Sequence, residues 1–149
     1  MILFRRYLVT LALLMWLGGF LFYSTIVIPI GRSVLRPPSH QTFVTREVTK
    51  IVDYFGAASM VILLWDTMAT RSHRKSRGIL WIGMTLTVAA LAWVRVHLAS
   101  YMDPETMTIT DREAIRPYHL GYIIIGGAQM ILGLIYIGVT LRSWHRVEG

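Results

Sequence analysis

Residues 7–30 read YLVTLALLMWLGGFLFYSTIVIPI, a run of apolar and small residues without a single charge. A helix needs about 20 apolar residues to cross a hydrocarbon core near 30 Å thick. The apolar core of a cleaved signal peptide is shorter, at about 7–15 residues, and Gly31-Arg32-Ser33 does not resemble a cleavage site. We therefore expect a first transmembrane helix from Tyr7 to Ile30 that stays in the mature protein.

Three further apolar runs follow, at residues 48–68, 79–101 and 118–141. The second belongs to a helix that we expect to begin near Ser39 or Thr42, after a break at Pro37-Pro38. Pro117 stands at a favourable first position for the fourth helix. The sequence thus predicts an all-α fold, in which residues 1–149 form one domain, a bundle of four transmembrane helices.

The composition supports a membrane protein and removes several other classes. Apolar residues make up 54 % of the chain and charged residues 15 %, against about 25 % charged residues in soluble domains. The chain has no cysteine, which excludes disulfides, thiolate metal sites and thiol nucleophiles. The net charge of +7 comes from bases beside apolar runs, where anionic lipid attracts them. We therefore expect a lipid bilayer as the partner, and no nucleic acid.

The distribution of basic residues predicts the orientation of the bundle. If all four runs cross, eight bases share the side that holds both termini: Arg5, Arg6, Arg71, Arg74, Lys75, Arg77, Arg142 and Arg146. Six bases lie on the opposite side: Arg32, Arg36, Arg46, Lys50, Arg112 and Arg116. The positive-inside rule then places both termini in the cytoplasm, in a membrane that we expect to be a prokaryotic inner membrane.

Charged residues inside the apolar runs are the first candidate site. Asp53 lies five residues inside Val48 and Arg95 six residues inside Tyr101, so both sit about 8–9 Å from the same surface. We expect the two side chains to form a buried ion pair, either as a clamp between helices or as part of a proton or anion path. Asp66 is expected to face Arg71 or the rest of the basic loop between the second and third runs, residues 71–78.

Histidines near the surface opposite the termini are the second candidate site. His97 and His119 come from different helices, and such a pair can ligate haem b. Alternatively His40, His97 and His119 with Met102 would suit copper, because imidazole and thioether are copper ligands. The interpretation that we favour needs no cofactor: each histidine only forms a hydrogen bond with a backbone carbonyl or with a carboxylate of the acidic segment 102–116.

Motifs for catalysis do not occur in this sequence, which carries no G-x-S-x-G, H-E-x-x-H, phosphate loop or G-x-G-x-x-G. The pattern therefore favours a protein that is not an enzyme. We expect a non-catalytic accessory or stabilising subunit of a larger membrane complex, with other membrane subunits as partners. The alternatives are a haem- or copper-binding membrane protein and a small transporter.

The first run also carries a family resemblance. It contains Trp16-Leu17-Gly18-Gly19 and ends near Pro29, and the fourth run opens with Arg116-Pro117-Tyr118-His119. In these features the chain resembles the transmembrane-protein-205-like family, four-helix membrane proteins of unknown molecular function. A Trp-x-Gly-Gly helix that ends in proline is also similar to the copper-resistance D family of membrane proteins. The resemblance implies a four-helix fold and a membrane location, and it supplies no reaction.

Overall fold

The structure, a computed structural model, describes residues 2–35, 39–103, 108–109 and 111–148. Four helices dominate it: α1 (Ile2–Val34), α2 (Ser39–Ala69), α3 (Arg74–Ser100) and α4 (Arg112–Glu148). Each of the four is long and apolar enough to cross a membrane. The predicted all-α fold with four membrane-length helices is therefore confirmed.

The connections between helices are short. Strand β1 (Met102–Asp103) pairs antiparallel with β2 (Thr108–Ile109) between α3 and α4. α2 begins at Ser39, as the sequence predicted, while the expected break at Pro37-Pro38 lies outside the described residues. The helices extend beyond the apolar runs at several ends, because polar first and last turns can stand outside the hydrocarbon.

The start of α4 differs from the prediction. The helix begins at Arg112, and Pro117 lies inside it instead of at its first position. The reason is a cap: the Asp111 carboxylate accepts hydrogen bonds from the backbone N–H groups of Glu113 and Ala114, both at 3.0 Å. This cap satisfies N–H groups that a helix start leaves unpaired, so α4 starts more than one turn before the proline.

α1 is not a uniform α-helix. Two five-residue stretches, Leu14–Gly18 and Tyr23–Val27, form π-helical turns inside it. Such turns widen the helix locally and are found frequently at functional sites. The first of them includes the first glycine of the Trp-x-Gly-Gly motif.

The core contains buried apolar residues from all four helices: Val9, Leu13, Trp16, Leu17, Met60, Leu63, Met84 and Tyr136. Small residues let the backbones approach. A Cβ on Gly56 would lie 2.7 Å from Trp16 Nε1, so the indole of α1 needs a glycine on α2. Ser59 Oγ donates a hydrogen bond to the Ala12 carbonyl oxygen at 3.1 Å. The small-residue patch of α2 is therefore the surface on which α1 packs.

Candidate functional site: two ionic centres inside the bundle

Interior stripes with a seven-residue spacing position the polar side chains of the core. On α3 the buried residues Arg77 and Met84 are seven apart, and on α4 Gln129, Tyr136 and Ser143 follow the same spacing. Seven residues turn an α-helix through about 700°, which is 20° short of two full turns. Arg77 and Tyr136 consequently face the same interior as the apolar core.

Asp66 of α2 lies at the centre of the larger polar cluster. Its side chain is 0 % exposed, and its carboxylate forms ion pairs with two arginines from different helices. Arg5 Nε of α1 lies 2.9 Å from Asp66 Oδ1. Arg77 Nη2 of α3, also 0 % exposed, donates to Asp66 Oδ2. We name this cluster, with Tyr136, the Asp66 centre.

Tyr136 connects α4 to the Asp66 centre. Its hydroxyl accepts a hydrogen bond from Arg77 Nη2 at 3.2 Å, donates to the Leu63 carbonyl oxygen at 3.2 Å, and lies 2.9 Å from Thr67 Oγ1. The Arg77 guanidinium also lies 5.5 Å from the centroid of the Tyr136 ring, within the range of a cation–π interaction. One carboxylate and one phenol thus join all four helices at the end where α1 begins.

The charge of the Asp66 centre is unbalanced. Arginine side chains stay protonated in proteins. The centre therefore holds two positive charges, from Arg5 and Arg77, and a single negative charge, from Asp66. Nε and Nη1 of Arg77 are buried and have no hydrogen-bond partner among the described residues. Removing one partner from a buried pair leaves an uncompensated charge, which costs far more than the pair itself contributes. The centre is therefore a clamp that tolerates no loss of its carboxylate.

Asp66 was predicted to face Arg71 or the basic residues that follow it, and the second of these alternatives is confirmed. Its partner there is Arg77, the last of the bases in residues 71–77. Arg77 lies in the first turn of α3 and on its interior stripe, so it points into the bundle. The sequence analysis did not predict Arg5 as a partner of Asp66. The only feature of the sequence that pointed to it is its position in the first turns of a helix long enough to cross the membrane.

The second ionic centre is the predicted Asp53–Arg95 pair. Arg95 Nε of α3 donates to Asp53 Oδ2 of α2 at 2.6 Å, and the two side chains are 22 % and 12 % exposed. Tyr122 of α4 lies within electrostatic range of this pair. The ion pair that we predicted from matching depths is present, with each side chain partly exposed at the edge of the bundle.

His97 is part of an aromatic cluster on the outside of α3 and α4. Its ring lies 4.0 Å from the Trp93 ring and stacks on Tyr118 with centroids 6.0 Å apart. Its Nδ1 lies 2.9 Å from the Trp93 carbonyl oxygen, a hydrogen bond within one turn of the helix. His97 faces away from Arg95, since two residues turn a helix through about 200°.

The other candidate ligands do not share this cluster. His119 follows Tyr118 and so points about 100° away from it around α4, within electrostatic range of Arg32. His40 lies in the first turn of α2, and Met102 begins β1. Within residues 2–35, 39–103, 108–109 and 111–148, no three His, Cys, Asp or Glu side chains are grouped to hold a metal ion. The haem and copper hypotheses stay predictions.

Comparison with known proteins gives no relative from which a function could be transferred to this chain. No family model, curated protein or solved structure matches this chain. Since one fold can host many functions, the function has to be argued from the residues and their geometry.

Proposed function

We propose that this chain is a non-catalytic membrane protein, an accessory or stabilising subunit that packs against a helix of a larger membrane complex. The observation that carries the proposal is an open glycine face on α4, turned away from the bundle. Gly127 and Gly138 are eleven residues apart, which is about 20° from three full turns, so they share one face. A Cβ added to either of them would meet nothing within 4 Å.

Two other glycines of α4, by contrast, are packed against α1. Gly126 and Gly133 face α1, where an added Cβ would lie 2.9 Å from Phe20 and 2.6 Å from Leu17. These two glycines are explained by packing inside the bundle. Gly127 and Gly138 have no such neighbour among the described residues. In lipid, small residues allow a neighbouring backbone to approach closely, so this face suits a helix of another protein.

The interior of the bundle favours a structural role over chemistry. The carboxylates of Asp53 and Asp66 are both occupied by arginines from neighbouring helices. An ionisable group inside a membrane is a functional candidate by default, but here the pairing accounts for both acids. We infer a rigid bundle that presents its outer face to a partner.

Orientation and location belong to the same proposal. Eight bases on the side of the termini, against six on the other, favour termini and residues 71–78 in the cytoplasm. We propose that the protein is integral to a prokaryotic cytoplasmic membrane, with the Asp66 centre near the cytoplasmic surface.

A photocrosslinking experiment tests the partner face. A photoreactive residue at Ile131, which is 61 % exposed and lies between the two open glycines, should give one discrete heteromeric product in native membranes. Gly127→Leu should suppress that product by at least about ten-fold, because the bulky side chain keeps the partner backbone away.

Gly121→Leu is the matched control. An added Cβ at Gly121 also meets nothing within 4 Å, but six residues place it about 120° away from Gly127 around the helix. This variant should crosslink like the wild type. A product that contains only copies of this chain, or equal crosslinking in both leucine variants, would overturn the proposal.

A further inference from the structure

A groove runs between α1 and α4 at the end of the bundle where α1 begins. It has a volume of 310 Å³ and is lined by apolar side chains on both helices, among them Leu14, Leu21, Leu134 and Leu141. A volume of this size falls within the range of small-ligand sites. The α4 wall of the groove adjoins the open glycine face, because Leu134 lies seven residues from Gly127, about 20° around the helix.

Two side chains with hydrogen-bond donors stand at one end of the groove. Thr140, which is 1 % exposed, and Trp144 both line it. The Thr140 Oγ1 and Trp144 Nε1 atoms are buried and have no hydrogen-bond partner among the described residues. A hydroxyl and an indole N–H can both donate a hydrogen bond, and buried polar groups normally have a partner. The pair therefore fits a ligand with acceptor oxygens at this end.

A cation lies beside the same end. The Arg6 guanidinium sits 5.3 Å from the centroid of the Trp144 ring, and its Nη2 donates to the Trp144 carbonyl oxygen at 3.2 Å. The Asp66 centre adds two arginines against one carboxylate nearby on α1, α2 and α3. Among the described contacts at this end, basic side chains outnumber acidic ones, a distribution that attracts anions.

The length of the groove matches one leaflet of a bilayer. On α1 its lining extends from Thr10 to Leu21, eleven residues or about 16 Å along the axis. Half of a hydrocarbon core near 30 Å thick is about 15 Å. An extended chain that lies along the helices would therefore reach from the polar end to the middle of the membrane.

The wall of the groove is shaped by the first π-helical turn of α1. Leu14, Leu17 and Gly18 of that turn all line the groove, and an added Cβ at Gly18 would meet nothing within 4 Å. Because π-helical turns and interior glycines each weaken a helix, their combination at this wall is consistent with a binding role.

We propose that the groove binds one acyl chain of an anionic phospholipid from the leaflet where α1 begins. The chain lies against Leu14 and Leu134, the ester oxygens accept hydrogen bonds from Thr140 and Trp144, and the phosphate lies toward Arg6. The chain supplies burial of apolar surface, and the phosphate supplies the selectivity for anionic headgroups.

Native mass spectrometry of delipidated, folded protein tests this site. Phosphatidylglycerol added back should bind with one tight equivalent and be preferred over phosphatidylcholine with the same chains by at least about ten-fold. Gly18→Phe should fill the groove and reduce the tight binding at least ten-fold. Gly19→Phe, at a neighbouring glycine with equally open space that does not line the groove, should bind like the wild type.

Two further arms separate the chain from the headgroup. Arg6→Gln should remove the preference for phosphatidylglycerol, while Arg6→Lys should keep most of it. Lysophosphatidylglycerol should compete fully, since one chain fills the groove, whereas inorganic phosphate alone should not compete. Equal loss of binding in both phenylalanine variants, equal affinity for both phospholipids, or tighter binding of a neutral isoprenoid would overturn the proposal.

Discussion

At the scale of single residues, the stability of the bundle depends most on the Asp66 carboxylate. It forms ion pairs with Arg5 and Arg77 together, while Arg77 also contacts Tyr136 of α4. A buried arginine that loses its carboxylate is left as an isolated charge, and transfer of such a charge out of water costs several kcal/mol. The effects of substitutions here should accordingly be larger than at the partly exposed Asp53–Arg95 pair.

Asp66→Asn should destabilise the bundle by about 3–5 kcal/mol, since two arginines lose their only carboxylate within the Asp66 centre. Reversible unfolding of the detergent-solubilised protein measures this loss. Asp111→Asn, which keeps an acceptor for the exposed cap of α4, serves as the comparison and should cost less than about 1 kcal/mol. Equal losses in the two variants would contradict the clamp.

The Asp53–Arg95 pair can be isolated by a double-mutant cycle. Asp53→Ala and Arg95→Ala should each destabilise the bundle more than the double substitution does, because each single change leaves a charge without its partner. We expect a coupling free energy of about 0.5–3 kcal/mol from unfolding curves of the four proteins. Strictly additive losses would mean that the contact contributes nothing.

The histidines decide between a cofactor and a purely local role. Metal analysis and the visible spectrum of the purified protein should show no stoichiometric iron or copper, and His97→Ala should cost about 0.5–1.5 kcal/mol at most, for the exposed hydrogen bond to the Trp93 carbonyl oxygen. The opposite result is equally clear. One equivalent of either metal that disappears in both His97→Ala and His119→Ala would establish the cofactor hypothesis.

At the scale of helices, the apolar runs predicted the four elements, and the matched depths of Asp53 and Arg95 predicted one contact. The Asp66 centre was harder to predict because Arg5 and Arg77 stand in terminal turns, where a basic residue usually faces headgroups. Only the seven-residue step from Met84 back to Arg77 indicated an interior position. The start of α4 was misplaced because the cap at Asp111 is a local contact that a hydropathy pattern does not contain.

The contact between α1 and α4 depends on a glycine. Gly133→Ala would place a Cβ 2.6 Å from the Leu17 side chain, and the resulting overpacking should cost about 1–3 kcal/mol. Gly138→Ala is the matched control, because its Cβ meets nothing within 4 Å and the alanine should stabilise the helix by about 0.4–1 kcal/mol. Similar unfolding midpoints for the two variants would count against the close approach.

At the scale of the whole molecule, the two ionic centres hold the bundle near opposite ends. Asp53 and Asp66 are thirteen residues apart on α2, which is about 20 Å along the helix axis. Between them lie the apolar core and the indole of Trp81, which donates to the Met60 carbonyl oxygen at 2.8 Å. A bundle fixed at both ends should move as one body, which suits a protein that presents a fixed face to a partner.

The proposed orientation is tested by labelling with an impermeant thiol reagent. Ser76 and Ser100 are exposed near the two ends of α3, about 36 Å apart along the axis and farther apart than the hydrocarbon is thick. Cells with Ser100→Cys should label intact, and cells with Ser76→Cys only after permeabilisation. The reverse pattern would invert the bundle, and labelling of both in intact cells would contradict a crossing by α3.

The pairing of Asp66 also has a consequence for the order in which the chain enters a membrane. Arg77 follows Asp66 by only eleven residues, so both charges leave the ribosome almost together, whereas Tyr136 is synthesised much later. We expect α2 and α3 to enter the membrane together as a helical hairpin in which Asp66 and Arg77 are already paired. Arg5 then joins from a helix that is already in place, and α4, arriving last, closes the assembly.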